Sequence, residues 1–117
     1  MLGALLVDGA GGIVNDTEAV RYLRLSASQG LDVAQKQLGD MHEAGRGVVQ
    51  DRAEALRWYK LAAEQGLADA IYRVATYHDE GWCGLQDKGE ATRLCHLALK
   101  SHPGHAGALD LWRTLSM

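Results

Sequence analysis

Cys95, His96, His102 and His105 stand close together in the chain, and cysteine with histidine is a donor set that zinc takes readily. A helix running into a turn could gather three of them round one ion. The remaining reactive groups are scattered. Cys83 and Cys95 are the only cysteines, which is too few for the disulfide framework of a small secreted domain, and they read as two unconnected thiols. No phosphate-cradling loop, no Gly-x-Gly-x-x-Gly opening a helix and no His-Glu-x-x-His pair occurs. Catalysis is therefore not expected, and neither is a cofactor. The aromatic pair Trp58-Tyr59, the isolated Trp82, Tyr72 and Trp112 are the other groups that could recognise something.

Composition narrows the setting in which these groups act. The chain has 117 residues, 47% of them hydrophobic and 23% charged, with a net charge of -3. That is a soluble globular composition without the basic, aromatic-interleaved surface of a nucleic-acid binder. No apolar run reaches the ~20 residues that cross a bilayer. Met1 to Val7 is apolar but short and lacks a basic leader, so it does not read as a signal peptide, and a cytoplasmic location is expected. Fourteen glycines against one proline, with no phenylalanine, suit close-packed helices joined by tight turns.

A step of 36 residues organises the whole chain. It takes Leu31 to Leu67, Ala34 to Ala70, His42 to His78, Gly45 to Gly81, Asp51 to Asp87, Glu54 to Glu90 and Ala62 to Ala98. The reverse step takes Gly45 and Gly47 to Gly9 and Gly11, Gln65-Gly66 to Gln29-Gly30, and Leu38-Gly39 to Leu2-Gly3. Internal repetition at this period points to stacked two-helix units. In the first helix of a unit Ala34, Leu38, Met41 and His42 form one buried stripe, with Gly39 placed for close approach of a neighbouring helix. The second helix opens on a repeated cap: Asn15, Asp51 and Asp87 each stand three residues before Glu18, Glu54 and Glu90. In a capping box the cap oxygen accepts from the glutamate's amide and the glutamate reaches back to the cap residue. Ala55, Trp58, Tyr59, Ala62 and Ala63 then face the core, which makes Trp58-Tyr59 packing residues. The register predicts helices near 17–29, 31–44, 52–65, 67–80, 88–101 and 104–116, with no sheet.

The central string, Ala34-Gln35-x-x-Leu38-Gly39-x-Met41-x-x-x-Gly45-x-Gly47-Val48 followed by Asp51, Ala55 and Trp58-Tyr59-x-x-Ala62-Ala63-Glu64-Gln65-Gly66, resembles the Sel1-like repeat. The flanking units depart from it. His42 and His78 stand where the family usually has tyrosine, and Gly81-Trp82-Cys83-Gly84 breaks the Gly-x-Gly turn. The resemblance implies an all-α solenoid of antiparallel helix pairs, related to the tetratricopeptide repeat. A single repeat domain over 1–117 is expected, with units near 1–30 (partial), 31–66 and 67–102 and a C-terminal capping helix over 103–117. Cys95 falls on the position of Tyr59, a core site, so a buried thiol beside exposed histidines is favoured over a metal centre. Trp82 is either a cover over Cys83 or an exposed contact.

By analogy with such stacks, the first helix of each unit lines a concave face. Val33, Lys36, Asp40, Glu43 and Ala44, then Asp69, Tyr72, Thr76, Asp79 and Glu80, then His105, Ala108 and Trp112, would point into it. The candidate partner-binding residues are Lys36, Asp40, Glu43, Asp69, Tyr72, Thr76, Asp79 and Trp112. Counted along these helices, the acids outnumber Lys36 by four, which suits a basic peptide or a lysine- and arginine-bearing surface with Tyr72 and Trp112 as anchors. The expected function is that of an adaptor that binds another protein, with no nucleic acid and no membrane insertion. Alternatives are a cognate inhibitor of one enzyme or toxin and a small cell-wall or β-lactam hydrolase. The latter lacks the Ser-x-x-Lys of an acylated serine and the regularly spaced cysteine pairs of hydrolase-like relatives. Leu5, Leu6 and Val7, lacking the neighbour that an internal unit has, suggest a homodimer through the N-terminal end.

Overall fold

The computed structural model describes residues 15–116, and among them it forms six helices and no strand. They are α1 (Asp16–Ser28), α2 (Asp32–Ala44), α3 (Arg52–Glu64), α4 (Ala68–Glu80), α5 (Lys88–Ser101) and α6 (Ala106–Leu115). Each boundary falls within two residues of the one read from the 36-residue register. Leu5, Leu6 and Val7, on which the N-terminal dimer was argued, lie outside the described residues. No described helix is long and apolar enough to cross a membrane.

Two kinds of helix start alternate. The odd-numbered helices begin at polar caps: Asn15, Asp51 and Asp87 accept from the amides of Glu18, Glu54 and Glu90 at 3.0, 3.1 and 3.0 Å. The reciprocal half of the expected capping box is not made. The amides of Asp51 and Asp87 already donate to the carbonyls of His42 and His78 at 2.9 and 2.8 Å. The glutamates turn instead to Arg21, Arg57 and Arg93, one helical turn on. Helices α2 and α4 start after Leu31 and Leu67, which are extended and cap nothing with their side chains. The two leucine amides reach back to the carbonyls of Ser26 and Ala62, closing the preceding helix in a two-residue turn. Gly45 and Gly81, in the left-handed region, end α2 and α4.

Each helix packs chiefly on its neighbours in the chain, with α4 and α6 the one next-nearest pair in substantial contact. This is the arrangement of a solenoid, in which a unit cannot bury its apolar stripe without the next one. Trp58 sits with Ala19, Val20, Leu23, Leu38 and Met41 in one core cluster. Tyr59, on the next residue, belongs to the other, with Ile71, Val74, Leu94 and Cys95. Leu38 and Ile71 are fully enclosed, and burial of each contributes roughly 1.5–3 kcal/mol. Polar ties repeat across units: Gln65 donates to the carbonyl of Gly30 at 2.8 Å and Ser101 to that of Gly66 at 2.7 Å.

Candidate functional site

The even-numbered helices carry a connected row of polar and aromatic side chains. On α2, Lys36 and Asp40 are one turn apart and paired at 2.8 Å. Arg73 of α4 approaches the same carboxylate at 3.9 Å, and its guanidinium lies 6.0 Å from the Tyr72 ring. The Tyr72 ring is tilted against His105 at 5.3 Å, and His105 in turn meets Asp69. His105 also accepts from the Ala108 amide at 3.0 Å, so the same imidazole caps α6. The row therefore runs from α2 across α4 to the start of α6.

Two buried phenols hold it from behind. The Tyr59 hydroxyl donates to Asp40 and lies 3.2 Å from Glu43, and the Tyr77 hydroxyl donates to Glu43 at 3.0 Å. Burial, then the hydrogen bond to Asp40, raises the Tyr59 pKa far above a free phenol's. Burial and the Glu43 charge do the same to Tyr77. Both stay protonated and act as fixed donors, which pins the carboxylates in one geometry.

Of the expected residues, the structure brings Lys36, Asp40, Asp69 and Tyr72 into this row, with Glu43 anchored beneath it by the tyrosines. Thr76 bonds back to the carbonyl of Tyr72 at 3.0 Å. Asp79 and Trp112 are turned elsewhere: Asp79 pairs with Lys88 at the start of α5 at 2.6 Å, and the Trp112 indole donates to His96 of α5 at 2.9 Å. Arg73 and Lys88 were missed as counter-charges, and they cut the acidic excess from four to two. Arg73 was legible in principle, since it lies one turn from Asp69 and Thr76 on the same helix.

The sulfur and imidazole groups do not converge. Cys95 is fully buried, with its thiol pushed up to about 11 by burial and by Asp79. His96 is engaged with Trp112, while the rings of His102 and His105 stand edge to face 5.9 Å apart. Among the described residues no group of three or more His, Cys, Asp or Glu could hold a metal ion. Trp82 is set against the Tyr77 ring at 5.1 Å beneath the Arg52 guanidinium at 4.1 Å. It ties the α4–α5 turn to the start of α3, with 37% of its surface exposed.

Comparison with known proteins places this architecture. The family model described as Sel1 repeat matches residues 1–31, 32–67 and 68–101. A Sel1 repeat protein from Oxalobacter formigenes is similar at 31% identity and a TM-score of 0.82, over 92% of this chain and 43% of that one. The c5321 protein, a protective antigen present in uropathogenic Escherichia coli strains displaying an SLR fold, is similar at 26% identity and a TM-score of 0.89. That match covers 97% of this chain and 24% of the antigen, so the chain spans less than half the length of either protein. No curated protein matches it. Sel1 repeats generally mediate protein–protein interaction, and the family is typically non-enzymatic. With the family motif matched three times in succession over residues 1–101, the chain belongs to the Sel1 repeat family.

Proposed function

We propose that this chain is an adaptor that binds a partner protein on the face shared by α2, α4 and the start of α6, with Asp40, Arg73, Tyr72 and Asp69 in contact. The observation that carries the reading is the continuous row from Lys36 to Asp69, in which each polar group is already held by a neighbour. A surface ordered before binding spares the partner the cost of fixing rotamer-rich side chains, about 0.5–1.5 kcal/mol for each one immobilised. Tyr72 is half-buried with its ring tilted against His105, which holds it in place as an anchor ring. The remaining acidic excess favours a segment that brings lysine or arginine. Glu43, which accepts from the Tyr59 and Tyr77 hydroxyls, supports the row from beneath.

Affinity capture with native partners, followed by mass spectrometry, identifies the partner. Its affinity is then measured for Tyr72→Ser and Asp69→Lys, both checked for retained helicity. Each change is expected to weaken binding by about tenfold, or roughly 1.4 kcal/mol. Unchanged affinity in both variants would move the interaction off this face.

A further inference from the structure

Helix α6 is held by little apolar burial. Ala108 is its one buried residue, whereas each of the other five helices buries four or more. Leu109, Leu111, Trp112 and Leu115 are half-buried. The polar attachments of α6 therefore count for more, and they share one chemistry. The Trp112 indole N–H donates to Nε2 of His96 on α5 at 2.9 Å. At the other end, Nδ1 of His105 accepts from the Ala108 amide at 3.0 Å, while its Nε2 faces Asp69 of α4. Among the described residues, every side-chain hydrogen bond between α6 or its cap and another helix runs through His96 or His105.

Both accepting nitrogens must be unprotonated. An imidazolium carries only donors on its ring, so turning the ring over preserves neither bond. The other helices differ. Leu31 and Leu67 cap nothing with their side chains, and Asn15, Asp51 and Asp87 cap through amide or carboxylate oxygens. Only α6 starts on an imidazole, the side chain that ordinarily gains its proton in mild acid. The ionisable groups around His105 are Asp69 and Tyr72 of α4, His102 at the end of α5 and, across a shared cavity, Asp32 of α2. His102, its ring 5.9 Å away, adds repulsion when both rings are charged. The two carboxylates act the other way, since they draw an imidazolium. Asp69 is 58% exposed, however, so water screens its pull, and it pairs with either form of the ring, whereas the Ala108 amide pairs with one. Around His96 stand Trp112 of α6 and, one turn away on α5, Arg93 and Lys100, whose charges disfavour another. Asp110 and Arg113 of α6 are paired with each other at 3.9 Å.

We propose that α6 is a helix released by acid: protonation of His96 and His105 removes its polar attachments and loosens it from α4 and α5. The sign follows from linkage. The attached state needs two bare ring nitrogens and the released state needs none, so the released state binds protons more tightly and gains as pH falls. Tyr72 carries the change to the polar face. Its ring leans on His105, and a β-carbon on Gly107, in the first turn of α6, would lie 2.9 Å from its Cζ atom. Movement of α6 removes both supports of that ring. Weaker partner binding in acid rests on the function proposed for the polar face, whereas release itself does not, and the free chain tests it.

The test follows ring nitrogen shifts and amide hydrogen exchange by NMR in the isotope-labelled full chain from pH 8 to 5. At pH 8 the rings should carry their protons on Nε2 of His105 and Nδ1 of His96. As pH falls, α6 amide protection, corrected for intrinsic exchange, should drop by about tenfold or more relative to α5, as loss of one or two hydrogen bonds implies. A decline in overall stability through His42 would lower α5 equally. The Trp112 indole N–H should shift in step with α6. His105→Asn and His96→Gln supply acceptors that do not titrate in this range, and the double variant should hold α6 protection level with α5. The proposal is overturned by α6 following α5 at every pH, by ring protons on the opposite nitrogens at pH 8, or by a double variant that loses α6 protection as the unaltered chain does. If the double variant does not fold, the first two outcomes, read on the unaltered chain, still decide it.

Discussion

A β-carbon at position 39 would lie 2.7 Å from the Tyr59 ring, closer than such atoms approach without something moving. Tyr59 cannot yield easily, because it is fully buried and its hydroxyl is held by Asp40 and Glu43. Gly39→Leu is expected to cost about 1–3 kcal/mol or more through overpacking. Gly104→Ala, with open space at its β-carbon, should leave the denaturant midpoint almost unchanged. His42 is the other costly residue. Its ring is buried with both nitrogens lacking a hydrogen-bond partner among the described residues. Burial lowers its pKa below the ordinary 6.5, with Arg24 and Arg57 adding to the shift and Glu54 and Asp51 opposing it. The unfolded chain then takes up the proton more readily than the folded one. The stability associated with neutral His42 is present above pH 6.5 and declines as pH falls from there through the lower folded value. Denaturation midpoints from pH 8 to 5 should show this decline, and His42→Leu should flatten it. A variant that declines just as steeply would assign the effect to another group.

At the scale of the helix, the alternation of starts decides where stability can be lost. Removing the Asp51 cap should cost about 1 kcal/mol, because one amide of α3 loses its acceptor. The turn that precedes it is more demanding. Gly47 has φ +76, and a β-carbon there would sit 2.5 Å from the carbonyl oxygen of Asp16, at the start of α1. Arg46, beside it, pairs with Asp16 at 3.0 Å, so this turn docks one unit on the previous one. Gly66, with φ +88, meets nothing within 4 Å. Gly66→Ala carries only the left-handed strain, about 1–2 kcal/mol, whereas Gly47→Ala must also displace backbone and should lower the thermal midpoint further. Equal losses would show that α1 can shift to make room.

For the molecule as a whole, most charges on the polar face are paired within the chain, and exposed pairs of this kind contribute little to folding. Partner binding and folding should therefore respond differently to salt. Screening shortens from ~10 Å at 0.1 M to ~3 Å at 1 M, which weakens attraction to the residual acidic excess. Partner affinity is expected to fall several-fold over that range, while the helical signal of the free chain is retained. Salt-independent affinity would give the interaction to apolar contacts. Glu80→Lys is a sharper probe of this than reversing Asp40 or Asp79, since those two hold Lys36, Arg73 and Lys88.

The 36-residue step, the caps at Asn15, Asp51 and Asp87 and the stripe of Ala34, Leu38, Met41 and His42 were enough to name the helices, their order and the family motif. Each of these is a short-range matter of periodicity, capping and turn geometry, and neighbouring residues carry it. What the charged and aromatic ends of the side chains do was settled between helices. Glu54 and Glu90 turn to arginines because the His42 and His78 carbonyls have taken the cap amides. Asp40 meets Arg73 from another helix, Asp79 leaves the polar face for Lys88, and Trp112 leaves it for His96. Leu94 takes the register position of Trp58 and is buried like it, in a different core cluster. Such choices depend on which donors and acceptors, or which volumes, face one another across the packed units, and that follows from tertiary distance rather than from sequence spacing.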